Sequence, residues 1–309
     1  MKARLTVLAA VALLVPALVF TAGCRKKHKE AKDEETHYSE SELWDTAQGY
    51  LKDEKWKKAG DYLKLLVDQY PTGVHVREAQ ILYADTLYNR GSDANLIEAQ
   101  AKYMAYVAFY PEDDRAAYAA FRVALCNYER RAKPDRDQAV TRDAINELEK
   151  VIQSYPKSTY ADDAKPIIRQ LRDELALHEY KVARFYSRRG FDTSVVKRMK
   201  FLLEKYPEYG KKDEVYFLLA ENLMKQGNAM EAKIYLEKLT EEYPGSDLKK
   251  DAEDLLDDAR KQVGEDAREA EKKDEKDEKK KGEKASEPEM KMDAPHGQQG
   301  QQGKDGEHP

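Results

Sequence analysis

Five times along this chain a tyrosine is followed directly by a proline: Tyr70-Pro71, Tyr110-Pro111, Tyr155-Pro156, Tyr206-Pro207 and Tyr243-Pro244. Proline lacks a backbone N–H and pushes the residue before it out of the helical region, so each pair is a helix stop. Twelve residues before the prolines stand Ala59, Ala99, Ala144, Val195 and Ala232. Eight before are Leu63, Tyr103, Leu148, Met199 and Leu236; five before are Leu66, Tyr106, Val151, Leu202 and Leu239. These offsets advance by four and then three residues, the spacing of one helix face. A small residue admits a neighbouring helix, two large ones fill the contact, and the proline ends the element.

Each of these helices follows another. Ala47 and Tyr50 precede Ala59, and Ala220 and Leu223 precede Ala232, with turns at Lys52-Asp53-Glu54 and Gln226-Gly227-Asn228. The pattern resembles the tetratricopeptide repeat, a helix-turn-helix unit of about 34 residues. The resemblance implies an all-α fold of five helical hairpins forming a curved solenoid. The Tyr-Pro intervals are 40, 45, 51 and 37 residues, so the middle repeats carry insertions. The repeat domain is expected over 41–263, with repeats at 41–72, 73–112, 113–157, 158–208 and 209–245. A closing helix over 246–263, with Leu248, Ala252, Leu255, Leu256 and Ala259 on one side, is expected to cap the stack.

The chain ends differ from this body. Lys2 and Arg4 precede an apolar run from Leu5 to Phe20, shorter than the roughly 20 residues a transmembrane helix needs. Residues 1–23 therefore read as a signal peptide. Thr21-Ala22-Gly23-Cys24 resembles a bacterial lipobox, which implies a covalent lipid (palmitate among its chains) on Cys24 and a mature protein starting there. An ordinary signal peptide with an incidental cysteine is the alternative. Arg25, not Asp, follows Cys24, which by the lipobox rule implies the periplasmic face of the outer membrane in a Gram-negative cell. Residues 24–40 read as a flexible tether and 264–309, nearly all Glu, Lys, Asp, Gly and Gln, as a disordered charged tail with some fraying helix near its start.

Charge and motif content narrow the function classes. Fifty-four basic and 59 acidic residues nearly cancel, which gives no basic excess for nucleic acid. Cys126 has no partner once Cys24 is acylated and reads as a small buried thiol. There is no phosphate loop, no zinc-protease or Cys-x-x-Cys motif, and no nucleophile elbow. The six histidines lack metal-ligand spacing. No catalytic, metal or cofactor-binding residue is assigned, and the chain reads as a scaffold, not an enzyme. A repeat stack offers a concave surface lined by first helices. There Trp44, Gln48, Tyr83, Tyr88, Tyr118 and Arg122 are candidates for holding a peptide or a partner's helix, against the plainer reading of the tyrosines as repeat core.

The segments Leu43-Trp44-Asp45-Thr46-Ala47, Trp56-Lys57-Lys58-Ala59, Tyr155-Pro156-Lys157-Ser158-Thr159-Tyr160-Ala161 and Leu175-Ala176-Leu177-His178-Glu179 resemble the BamD family of outer-membrane assembly lipoproteins. The likeness runs on through Val182-Ala183-Arg184-Phe185-Tyr186 to Arg188-Arg189-Gly190. It implies a lipid-anchored subunit of the β-barrel assembly machinery that docks to the POTRA modules of BamA and joins other assembly lipoproteins. It also implies help in delivering unfolded outer-membrane proteins. In that family an arginine on the second helix of repeat four faces BamA; the matching residue is Arg198. Two stretches depart from the family pattern: Glu112-Asp113-Asp114-Arg115, and Val74-His75 after Pro71. The long charged tail departs too. A repeat scaffold for another envelope machine (pilus, secretin or division) is the competing reading.

Overall fold

The computed structural model describes residues 38–285. The signal peptide, Cys24, most of the tether and the tail from 286 onward lie outside the described residues. Within them the chain forms α1 (Glu40–Lys52), α2 (Trp56–Gln69), α3 (Val76–Arg90), α4 (Asp93–Phe109), α5 (Ala116–Arg130), α6 (Ala139–Ser154), α7 (Thr159–Ser187), α8 (Asp192–Lys205), α9 (Lys212–Lys225), α10 (Ala229–Glu242) and α11 (Lys249–Ala285). These are the five expected hairpins, α1/α2 to α9/α10, plus a closing helix, and no strand is present among the described residues.

The Tyr-Pro pairs act as the sequence dictates. Each tyrosine is the C-cap of its repeat's second helix, outside the helical region at φ between −123° and −133° and ψ between 53° and 64°. Its N–H still donates to the carbonyl four residues back, for example Tyr70 to Leu66 at 2.9 Å and Tyr243 to Leu239 at 2.9 Å. The next residue has no N–H to give, and the chain turns. Four helix starts are set by side chains that satisfy free N–H groups. Ser39 and Glu42 form a reciprocal capping box on α1, and Ser92, Ser158 and Asn228 cap α4, α7 and α10.

All fifteen residues at the three repeat offsets are buried, from Ala59, Leu63 and Leu66 to Ala232, Leu236 and Leu239. The core is a series of clusters strung along the stack, the largest joining the ends of α7 and α8 to α9, α10 and α11. Each helix packs mainly against the next in sequence, and α5–α7, α7–α9 and α9–α11 also touch, which lines the first helices along one side. The approach of α2 to α3 is tight: a Cβ on Gly60 would stand 2.7 Å from the Thr86 hydroxyl oxygen.

Three boundaries differ from expectation. The folded body starts at the Ser39 cap and Glu40, within the expected tether, because the capping box reaches back over that boundary. The 51-residue interval is taken up by α7, 29 residues long with Pro166 inside it, so the insertion lengthens a helix instead of a loop. Helix α11 does not stop at Val263 but runs to Ala285. Ala252, Leu256 and Ala259 are buried as expected, whereas residues 264–278 are exposed throughout. Helix there needs no core. Ala, Glu, Lys and Arg have high intrinsic propensity, and Glu269/Lys273, Glu275/Lys279 and Asp277/Lys281 are spaced for pairing one turn apart.

Candidate functional site

Four of the six proposed concave residues sit on α3 and α5, and three of those four converge. Tyr88 (α3), Tyr118 and Arg122 (both α5) surround a carboxylate that sequence reasoning passed over, Asp85 of α3. The Tyr118 hydroxyl donates to Asp85 at 2.7 Å, and Tyr103 of α4 donates to the same oxygen. Arg122 lies 3.7 Å from that oxygen, donates to the Tyr103 hydroxyl at 3.2 Å and stacks 3.6 Å over the Tyr88 ring. Burial pushes the Asp85 carboxyl above its usual range, opposed by the two tyrosine hydrogen bonds and Arg122. Burial likewise raises the Tyr88 hydroxyl to about 12. These side chains satisfy one another, so the cluster ties three helices together before it can offer anything to a ligand.

The remaining candidates lie apart. Tyr83 leans over the second helices, donating to Glu98 of α4 at 2.9 Å beside Lys102. Trp44 stacks on His75 with ring centroids 4.4 Å apart, and Gln48 is half-buried one turn further along α1. Cys126 is fully buried in α5, and burial pushes its thiol up to about 12. His178 ties α7 to the α5–α6 loop, its Nδ1 2.7 Å from the Pro134 carbonyl oxygen. No metal-binding group of three or more His, Cys, Asp or Glu side chains occurs among the described residues.

The larger concavities lie in repeats four and five. One, of about 740 Å³, runs between the first half of α7 (Lys165, Pro166, Arg169, Gln170, Asp173, Glu174, Leu177) and Tyr209-Gly210-Lys211 before α9. Gln170 and Glu174 also hold Tyr128 of α5 and Arg131 at its C-cap. The Tyr209 hydroxyl is buried with no hydrogen-bond partner. The only sequence signal for this groove is the 51-residue interval.

The second concavity, of about 700 Å³, contains Arg198. It is bounded by Glu179 and Tyr186 of α7, Phe191 in the turn, and Ser194, Lys197, Arg198 and Phe201 of α8. Gly190, at φ 74°, makes the tight turn that brings the two helices together. Arg198 is half-buried and paired with Glu179. Phe191 and Phe201 stay 54% and 47% exposed on its rim, which puts two large apolar side chains in water beside Lys197. An arginine held ready by its own carboxylate, flanked by uncovered aromatic rings, is the make-up of a protein-docking surface.

The family model of the outer membrane lipoprotein YfiO matches residues 36–227, more than half of the chain and all of the first four hairpins. The chain belongs to this family. The tetratricopeptide repeat model matches residues 214–246, the fifth hairpin. The chain is 30% identical over 249 residues to the outer membrane protein assembly factor BamD of Caulobacter vibrioides, covering 80% of this chain and 79% of that one. It is 28% identical to the same-named protein of Rickettsia prowazekii, over 76% of this chain and 91% of the other. For Xylella fastidiosa the identity is 27%, over 71% and 76%. The resemblance read from the repeat-three and repeat-four segments is thus borne out, as is the all-α repeat architecture. No described helix is long and apolar enough to cross a membrane.

Proposed function

We propose that this protein is a non-catalytic scaffold of the outer-membrane β-barrel assembly machinery, anchored at the periplasmic face through lipid on Cys24. It docks to the POTRA modules of BamA through the Arg198 groove, joins other assembly lipoproteins, and presents its concave first-helix face to unfolded barrel proteins. The observation that carries this reading is the exposed cationic and aromatic groove on α7 and α8, in a family whose relatives are named assembly factors. A partner carboxylate would replace Glu179 on Arg198, while apolar side chains cover Phe191 and Phe201. Such an exchange confers specificity because a mismatched partner leaves the arginine desolvated and unpaired. For peptides, Trp44 and Gln48 are the more available of the concave candidates; Tyr88, Tyr118 and Arg122 are committed to Asp85.

The test is affinity purification of the tagged, full-length protein from detergent-solubilised outer membranes. The expected outcome is recovery of a stoichiometric barrel protein with POTRA modules, reduced at least about tenfold by Arg198→Glu. Recovery of secretin, pilus or division proteins in its place would overturn the assignment. Mass spectrometry of the mature amino-terminal peptide checks the lipid on Cys24.

A further inference from the structure

Helix α4 differs from the other second helices of the stack. Three of its 17 residues are charged, against five of 14 in α2, five of 16 in α6, and six of 14 in both α8 and α10. Its inner side packs on α3 and α5, yet its outward side is apolar too. Ile97, Ala101, Ala105 and Phe109 stand four residues apart, which makes them one ridge of the helix. All four are exposed, Ile97 by 50% and Phe109 by 76%. A helix apolar on every side belongs in a core, and here one side faces water.

Grooves run along both flanks of this ridge. One, of about 200 Å³, holds Val67 of α2 and Tyr83 of α3; the other, of about 250 Å³, holds Val123 of α5 and Tyr155 at the end of α6. The charges beside them balance. Lys64 pairs with Asp68 and Lys150 with Glu147, while Glu98 and Lys102 both engage Tyr83. Three cations and three acids give an anionic lipid surface, or a strongly charged partner, no excess to bind. Two copies of such a face meet without net repulsion.

We propose that α4 is the contact helix of a homodimer, its outward ridge crossing the same ridge of a second copy about a twofold axis. The ridge reads large, small, small, large from either end, and a twofold contact between reversed copies needs a pattern that survives reversal. Ridges of four-residue spacing align when two helices cross at about −50°. Ala101 then lies over Ala105 of the second copy, where the two axes come closest. Ile97 lies over Phe109 of the second copy, where the cylinders diverge and leave room for large side chains beside the flanking grooves. A single helix crossing is a small interface, so the pairing is reversible. The ridge belongs to repeat two and the Arg198 groove to repeat four, so pairing and the docking proposed above use different surfaces.

The experiment mixes two differently tagged full-length forms, Ala101→Cys and Ala105→Cys, purified from membranes in detergent and mildly oxidised. Cys126 is fully buried, and the parent protein sets the background. The expected product is the mixed disulfide, position 101 of one copy to position 105 of the other, in excess over either like-with-like product. Bridged Cα atoms must lie within about 7 Å, and only the mixed pair is opposed at the crossing. Phe109→Glu, at an exposed site, should lower its yield at least about tenfold by burying an unpaired charge, while leaving the thermal transition in place. A mixed disulfide no more abundant than the like-with-like ones, or than links formed by Lys238→Cys exposed on α10, reflects random collision and overturns the proposal. A yield indifferent to Phe109→Glu does the same. So does oxidation in intact membranes that joins Ala101→Cys chiefly to a different polypeptide, which would assign the ridge to another protein.

Discussion

Glu54 closes the first hairpin at φ 54°, in a left-handed conformation that the equivalent turns of the fourth and fifth hairpins give to Gly190 and Gly227, at φ 74° and 73°. A side chain there costs about 1 kcal/mol. Glu54→Gly should therefore leave stability unchanged or raise it by up to about 1 kcal/mol, the greater freedom of the unfolded glycine offsetting part of the gain. Thermal unfolding decides it, and a clear loss would refute the strain. Asp113 accounts for one departure from the family pattern. It accepts from the Tyr106 hydroxyl at 2.8 Å and the Arg115 N–H at 2.9 Å, and the Arg115 N–H chiefly holds its carboxyl below the usual range. A depressed carboxyl stabilises the fold above its unfolded value of about 4 and loses that contribution as pH falls through the folded value. Asp113→Asn is accordingly expected to cost stability at neutral pH, with the difference from the parent shrinking below about pH 4 in denaturant titrations. Residue identities were only half legible in the sequence. Periodicity put Tyr88, Tyr118 and Arg122 on first helices, where they are, but cannot say that they spend themselves on Asp85, because one acid among 59 carries no label.

At the scale of the element, the sequence was most legible where a single atom decides. A missing N–H places all five second-helix ends within a residue. It was least legible at α11, where the lack of an apolar face predicts no more than a fraying start and the helix runs on to Ala285. Packing and propensity are separate causes of helix, and residues 264–278, exposed throughout, have only the second. The body's stability should therefore not depend on their helix. Truncation after Gly264 is expected to remove far-ultraviolet ellipticity in proportion to the residues lost while leaving the main thermal transition in place. Added salt should weaken only that segment, through its Glu–Lys pairs. A fall in the main transition would mean that the exposed turns pack on something in solution.

Across the whole molecule, the stack has no single centre. Leu148 of α6 is fully buried in the cluster formed by α5, α6 and α7, and Leu148→Ala should cost about 2–5 kcal/mol. In a solenoid that loss stays near its source. Amide exchange is expected to rise first in α5 to α7 and least in α1 and α2; a uniform rise would show a globally cooperative fold. The repeat count, the hairpin order and the closing helix could be read from spacing alone. The groove between α7 and the Tyr209-Gly210-Lys211 loop could not, because it arises where the lengthened α7 runs past the loop before α9, and spacing records only that residues were added.

The outer part of α11 acts as a pointer fixed to the last repeat. Its first turns are clamped against α10, and from Gly264 to Ala285 it continues for about 30 Å at 1.5 Å per residue. A rod of that length converts each degree of tilt in the final hairpin into roughly half an ångström at its tip. The tip of the described helix therefore stands clear of the body, and its position reports on how the fifth repeat is seated.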